Sequence, residues 1–311
     1  MSNIIKNRTE LLFLYEIENA NPNGDPLNEN RPRFDDEEAK ALVSDVRLKR
    51  TIRDYWFEYK GYNGENEKDI FIRETTYNDT VKGKDETYVS DGKRRAKKFN
   101  EDKAEVIKNC IDIRVFGGVL PLKNDSITLT GPCQFQMGKS LNKVEIITEQ
   151  GTGAFASSDK KKNAAFRTEY KLPYAIIGFN GIINEKAAQY SQMTDEDKAL
   201  LKEGIWDGTK NLISRSKFGQ MPLLLLDITY KDPFYIGNLR QRLNLKCVDD
   251  NELKIRSTKD YQLDITDLIN VFKKEESKIE NIDVKVDDRL KVLYKEKETI
   301  LTDGKLNLND F

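Results

Sequence analysis

Three short stretches concentrate the side chains that hold phosphates. The first, "SDVRLKR" (44–50), leads on to Arg53, so that Arg47, Arg50 and Arg53 follow closely on Ser44. If a helix begins at Ser44, these cations lie near its positive dipole end, where they are unfavourable and where an anion relieves the conflict. The second stretch is the turn "NANPNGDP" (19–26), directly behind the apolar run "LLFLYEIE" (11–18). Backbone amides at a helix start, arginines beside them and an asparagine-rich turn make a chemically reasonable phosphate cradle, because Asn and Gly permit unusual backbone angles. The competing reading pairs the arginines with Asp54 or with glutamates on a solvated face. In the third stretch, "SRSKFGQ" (214–220), Arg215 and Lys217 stand among Ser214, Ser216 and Gln220, and residues 208–226 contain no acid. Such a loop binds phosphates through its cations and sugar or backbone oxygens through its hydroxyls and amide, or is an ordinary basic helix exit. "KRRAKK" (93–98) and "DKKKN" (159–163) add dense charge suited to sequence-blind attraction to a polyanion, or merely solvated.

Catalytic options are narrow. The chain has no histidine, which removes the commonest general base, the Ser-His and Cys-His pairs and the usual zinc nitrogen ligand. Cys110, Cys133 and Cys247 are odd in number and far apart, so neither a disulfide framework nor a zinc site is expected. Asp25, Asp45, Asp54 and Asp112 are candidates for magnesium ligation, but none falls in a recognisable metal motif. Asp45 reads better as a helix-start residue and Asp54 as an arginine partner. No cofactor is expected.

The elements that must position these residues follow from patterning. At 311 residues, 38% apolar and 34% charged, the chain can bury a large core. No run reaches the roughly 18 to 20 apolar residues of a membrane span, and "MSNIIKNRTE" lacks a signal-peptide centre, which predicts a cytoplasmic protein without membrane contact. The net charge is −1; residues 248–311 hold 12 basic and 16 acidic groups, leaving +3 for the rest. "LLFLYEIE" suits a central strand. Ser44 is a fitting cap for a helix over 45–59, with Leu48, Ile52, Tyr55 and Tyr59 as its apolar stripe and the arginines on another arc. The polar stretch 61–100 holds too few apolar residues for a core of its own and is expected to project. A short helix over 101–115 stops at Gly117-Gly118. "SITLTGPCQF" (126–135) reads as a strand, 139–171 as a hairpin around a Gly/Ser-rich tip, and "LPYAIIGFNGII" (172–183) as a strand opening on its proline. Thr194 caps a helix over 195–213 with Leu201, Ile205 and Leu212 inward, and "PLLLLDITY" (222–230) is a strand covered on both faces. Without the inserts the order is strand, helix, strand, strand, helix, strand, that of the ferredoxin-like unit underlying the RNA recognition motif. The paired stacking aromatics of the common RNA recognition motif are missing, so base stacking on the sheet is not expected.

"NPNGDP", "RPRFDDEEAKALVSDVRLKRTIRDY", "IDIRVFGG", "LTGPCQF" and "WDGTKNLISRSKFGQMPLLL" together resemble the CRISPR-associated Cas-seven family, most closely its Csh-two branch of type I-B systems. The match runs in order over residues 11–230, about 70% of the chain. The resemblance implies an α+β fold: a single hand-shaped domain over 1–311 with a modified RNA-recognition-motif palm (10–60, 106–138 and 172–247), a finger insert (60–105), a β-hairpin thumb (139–171) and an accessory segment (248–311). It implies a non-enzymatic subunit that binds guide RNA, stacks head to tail with copies of itself, associates with other Cascade subunits and supports pairing with a target DNA strand. By motif position the RNA contacts would fall at Asn19, Asn21, Asn23 and Gly24, at Arg47, Lys49 and Arg50, and at Phe116, Gly117 and Gly118. Gly138, Lys139 and Ser140, then Arg167, and finally Ser214, Arg215, Lys217 and Gln220 complete the set. Asn180 stands where the family often has histidine, so no imidazole role carries over. Type III relatives cut RNA with an aspartate after the first strand, and the nearest equivalent, Asp25, gives the alternative of a metal-dependent ribonuclease. The surrounding motifs are of type I character, in which Asp25 is a turn-former capping local amides.

Overall fold

Leu11, Leu12, Phe13, Leu14 and Ile17 are completely buried, so the strand that carries them, Thr9–Ala20, requires neighbours on both edges and cover on both faces. The computed structural model, which describes residues 3–81, 84–121, 126–152 and 166–311, provides both. This strand lies in a ten-stranded sheet between Gln220–Tyr230 and Phe166–Ile183. Beyond Gln220–Tyr230 come Ile279–Val286 and Gly304–Lys305; beyond Phe166–Ile183 come Gly138–Ser140, Lys40–Val43 and Phe34–Asp35. Seven α-helices lie among the described residues, and none of them is long and apolar enough to cross a membrane.

The chain forms two compact units. One comprises Met1–Thr9, Lys49–Gln134 and Ile182–Gly208; the other comprises Glu10–Leu48, Phe135–Gly181 and Thr209–Phe311. In the second unit, Leu12, Leu14, Tyr174, Ile176, Leu224 and Leu226 share one core with Tyr261, Phe272 and Ile282 from the C-terminal segment. Each such side chain contributes about 1.5–3 kcal/mol by leaving water. Ile279–Val286 pairs antiparallel with Gln220–Tyr230, from Leu224 opposite Val286 to Tyr230 opposite Ile279. A separate four-stranded sheet joins Asn244–Cys247, Tyr261–Asp264, Val292–Tyr294 and Lys297–Thr299.

The helix after Ser44 forms as the cap predicts. Ser44 Oγ accepts from the Arg47 amide at 3.2 Å, and the helix runs Asp45–Tyr59. Leu48, Ile52 and Tyr55 are buried, but Tyr59 is exposed, one turn past the end of the packed stripe. Arg53, expected on a solvated arc, is instead buried: its Nε donates to Asp112 Oδ2 at 3.0 Å. Asp112 is itself fully buried and accepts from the Phe71 and Ile72 amides at 2.7 and 3.0 Å, which makes it an anchor for this segment.

The first unit departs from expectation elsewhere. The insert does contribute to a core, because Phe71, Ala96 and Phe99 pack with Val106, Cys110, Ile113, Leu120 and Leu129. Nor is "KRRAKK" all surface charge: Arg95 is buried and pairs with Asp69 at 2.9 Å, as does Lys98 at 2.9 Å. Burial alone would raise the Asp69 pKa, yet Lys98 and Arg95 outweigh it and hold the carboxyl below its ordinary range. The single helix expected over 101–115 is two, Lys103–Asn109 and Ile111–Phe116, broken at Cys110. The break has a cause: the Asp69 amide bonds the Asn109 carbonyl and the Ile111 amide bonds the Asp69 carbonyl, which draws Cys110 into an extended conformation.

Two strand expectations also shift. Residues 126–135 form two strands separated by Gly131-Pro132: Ser126–Thr130 makes a hairpin with Gly117–Pro121, and Cys133–Phe135 pairs with Phe166–Ile183. The strand expected at 172 begins at Phe166, so that Pro173 is internal. Its first part is the return arm of the expected hairpin, with Ile147 opposite Lys171 through Thr152 opposite Phe166. The tip, with "DKKKN", lies outside the described residues. Helix Asp195–Lys210 has reciprocal capping between Thr194 and Asp197 at 3.1 and 3.2 Å, and ends before Leu212. The helix Glu185–Ser191, capped by Asn184, was not expected.

Replacing Asp112 with Asn leaves Arg53 buried without its counter-charge. The variant is expected to lose about 3 kcal/mol of stability, read as a fall in the urea unfolding midpoint with an unchanged slope; a shift under 0.5 kcal/mol would contradict the anchor role.

Candidate nucleic-acid interface

Within the second unit, the turn that ends the first strand and the loop before Gln220–Tyr230 are stitched together. The Glu18 amide donates to the Gly219 carbonyl and the Asn21 amide to the Ser216 carbonyl, both at 2.9 Å, while Lys217 Nζ donates to the Asn21 carbonyl. Gly219 permits this approach. Its φ is +104°, and a Cβ there would lie 2.4 Å from the Glu18 carbonyl oxygen. Asn23 ties the same turn to the helix start, since its Oδ1 accepts from the Ser44 amide at 2.8 Å. Two sequence motifs and the Ser44 helix start are thereby brought to one place.

The charges at this place are unusual. Lys217 is largely buried, and burial, reinforced by the positive charge of Arg47, pushes its ammonium pKa down to about 8. Its hydrogen bond is to a neutral carbonyl, and among the described residues Lys217 forms no ion pair. The Arg47 charge also acts on Tyr15, whose phenol burial raises and Arg47 lowers. A largely buried lysine with no ion pair among the described residues, at the end of strands and within the field of Arg47, is an electrostatic deficit that an anion fills.

The remaining predicted residues of this unit divide by role. Asn19 is exposed in a left-handed conformation (φ 48°), and Asn21 is buried, its Nδ2 donating to the Asn30 carbonyl at 2.7 Å. Gly24 lies so close to Asn30 that a Cβ would fall 1.9 Å from its Oδ1. Gly138 faces the Phe179 ring with no room for a side chain, and Ser140 is buried, accepting from the Ala41 amide and donating to the Asn142 carbonyl. Lys139 is held by Asp35 at 3.1 Å and Glu38 at 2.6 Å, so its charge is already matched. Arg167 stands opposite Gly151 in the hairpin. Ser214 accepts from the Lys217 and Phe218 amides, Arg215 is exposed and paired with Glu169 at 2.8 Å, and Gln220 donates to the Lys217 carbonyl at 3.1 Å.

In the first unit, Lys49 donates to Gln134 Oε1 at 2.9 Å and lies 5.7 Å from the centre of the Phe116 ring. Arg50 forms an exposed pair with Asp54, as the competing reading had it. The Phe116 ring is buried and stacked on Trp56, centroids 5.6 Å apart, so any contact there falls to the backbone of Gly117 and Gly118. Gly117 has φ 71°, and its Cβ would lie 2.1 Å from the Leu129 carbonyl oxygen.

Asp25 behaves as a turn-former: its Oδ1 accepts from the Leu27 amide at 3.2 Å and sits 3.4 Å from Arg33. Among the described residues no group of three or more Cys, Asp or Glu could hold a metal ion. Two cations escaped the sequence reading. Arg31 lies 4.5 Å over the Tyr170 ring, and Arg240 is drawn inward to donate to the Gly178 and Met137 carbonyls, its pKa lowered by burial. Arg31 also lies 3.6 Å from the nearby Glu29, but the Tyr170, Gly178 and Met137 partners are distant in sequence, so no local signal marked these contacts.

Residues 7–266 match the family model described as CRISPR-associated protein Cas7. A CRISPR-associated protein Cas7 of Haloferax volcanii is 30% identical, over 92% of this chain and 88% of its own length. The fold is similar to a chain of a CRISPR RNA-guided surveillance complex in a pre-nicking state, with TM-score 0.53, 9% identity and coverage of 93% of this chain and 96% of that one. A chain of a second CRISPR RNA-guided surveillance complex gives TM-score 0.51 at 11% identity, covering 93% and 94%.

The depressed Lys217 pKa fixes the sign of a stability effect. Between about 8 and the ordinary lysine value near 10.4 the unfolded chain binds a proton that the folded chain does not, so this group's contribution to stability rises with pH. From pH 8 to 9.5 the wild type should gain about 1 kcal/mol relative to Lys217→Met, after discounting for partial exposure. Denaturant midpoints of both proteins across that range check it, and a constant difference would contradict the strained ammonium.

Proposed function

The chain belongs to the CRISPR-associated Cas7 family, and from that premise we propose that it is the guide-RNA-binding backbone subunit of a type I-B Cascade surveillance complex. Copies stack head to tail along one guide and support its pairing with a target DNA strand, together with other Cascade subunits and in the cytoplasm. Contacts that repeat without closing generate such a filament. The palm is of ferredoxin-like, modified RNA-recognition-motif kind, a reading supported by the sheet order that sets Thr9–Ala20 between Gln220–Tyr230 and Phe166–Ile183. The type I-B assignment rests on the motifs quoted above.

The observation that carries the RNA reading is the largely buried Lys217 ammonium at the junction of the turn and the loop, bonded among the described residues only to the Asn21 carbonyl and within the field of Arg47. A phosphate there would return the Lys217 pKa toward its ordinary range and offset the repulsion from Arg47, which is a mechanism for binding a polyanion without reading its bases. Sequence information is then delegated to guide–target pairing. Arg47, Lys217 and the backbone around Asn19–Gly24 form the phosphate-holding part of the set, with Ser214, Arg215 and Gln220 beside them. In the other unit Lys49, Arg50 and the Gly117-Gly118 backbone contribute. In the second unit Gly138 and Ser140 shape the backbone beside Lys139 and Arg167, and in the first the Phe116 ring underlies Gly117. The subunit is a scaffold and not an enzyme, in keeping with an Asp25 carboxylate occupied by a backbone amide and Arg33.

Lys217→Met and Arg47→Ala should each weaken guide-RNA binding about tenfold and reduce the magnitude of the log–log salt slope by about 0.7. Arg50→Ala, whose charge is shared with Asp54, should lose less. Filter binding at several salt concentrations measures both quantities, and unchanged affinity with an unchanged slope would remove Lys217 and Arg47 from the site. Complementary RNA incubated with the protein and magnesium should stay intact; cleavage that disappears in Asp25→Ala would replace the scaffold reading with a ribonuclease.

A further inference from the structure

Beside Lys217, a small cleft of about 70 Å³ opens between the turn and the base of the hairpin, lined among others by Asn21, Glu29, Thr168, Glu169 and Ser216. Its distinguishing feature is an acceptor in need of a donor. Asn21 is 3% exposed, and its Nδ2 is committed to the Asn30 carbonyl at 2.7 Å, which orients the amide. That leaves Asn21 Oδ1, a buried acceptor with no donor. A buried polar atom without a partner costs about 1–3 kcal/mol, so a ligand carrying a donor is favoured here. The other lining groups are the Glu29 and Glu169 carboxylates, hydroxyls, the Asn30 amide and Lys171, whose ammonium is held by Glu149 at 2.6 Å and Glu169 at 3.5 Å.

Resting on the guide-RNA reading above, we propose that this cleft receives a ribose 2′-hydroxyl of the guide, which donates to Asn21 Oδ1, and that it makes the subunit selective for RNA over DNA. Among the donors that a polynucleotide offers, elimination leaves one. Phosphate oxygens only accept, so they cannot satisfy Asn21 Oδ1. Base amino and imino groups do donate, but their positions change with sequence, and a backbone subunit must accept any spacer. The 2′-hydroxyl is the one donor present at every nucleotide, and it is the group that distinguishes RNA from DNA. The cleft adjoins the phosphate site through the Asn21–Ser216 backbone bond, so one nucleotide's phosphate and a neighbouring sugar are addressed by the same turn.

The test walks a single 2′-deoxy or 2′-fluoro nucleotide through the footprint of one subunit on an otherwise unmodified RNA. Fluorine matches the hydroxyl in size and keeps the ribose pucker but cannot donate. At one position both substitutions should weaken binding about five- to tenfold, and in Asn21→Leu, with folding verified by circular dichroism, that positional loss should disappear. Affinity that ignores 2′-fluoro at every position overturns the proposal, as does a positional loss that persists in Asn21→Leu. The wild-type scan decides the matter alone if the variant fails to fold. Failure of the unmodified RNA to bind at all would instead sink the guide-RNA reading on which this rests.

Discussion

A lysine held largely out of water beside an arginine, with a backbone carbonyl as its hydrogen-bond partner, is the constraint around which the second unit is arranged. Left alone, such a group is destabilising by the free energy that its depressed pKa represents. Proteins keep groups of this kind where a ligand completes them, and the ligand that completes two cations at a helix start is an anion. On the proposed reading, binding strength and folding stability are opposed at Lys217. A more comfortable residue would fold better and hold a polyanion less well.

The geometry around that lysine depends on close backbone approach. Gly219 brings the loop against Glu18, Asn23 fastens the turn to the Ser44 amide, and Gly24 lets Asn30 close the turn from behind. Asparagine recurs because its side chain both accepts and donates, and so can replace the regular ladder bonds that a strand loses at its end. In the first unit a pair of buried carboxylates performs the corresponding work. Asp112 gathers Arg53 and two amides, and Asp69 gathers Arg73, Arg95 and Lys98. Charge that looks like surface in the sequence is there spent on organising the fold.

Much of the fold was legible in the chain. The both-face burial of 11–17 and 223–226, the Ser44 and Thr194 caps and the Gly117 helix stop all follow from local patterns that the structure reproduces. What local patterns could not carry was partnership at a distance. The break at Cys110 is made by Asp69, the burial of Arg53 by Asp112, and the internal position of Pro173 by a strand that changes its partner from the hairpin arm to Gly138–Ser140. The candidate site was legible in its residue types and not in its charges. Lys217 feels the charge of Arg47 and among the described residues has no ion pair of its own, whereas Lys139 and Arg50, alike as cations in the sequence, are matched by Asp35, Glu38 and Asp54.

The most direct measurement is the pKa of the Lys217 ammonium, followed by NMR of isotope-labelled lysine in the free protein and in its complex with guide RNA. A phosphate at this site should raise it from about 8 in the free protein to the ordinary lysine range near 10.4 in the complex. A value that stays near 8 with RNA bound would mean that no phosphate reaches Lys217, and would contradict the account at its centre.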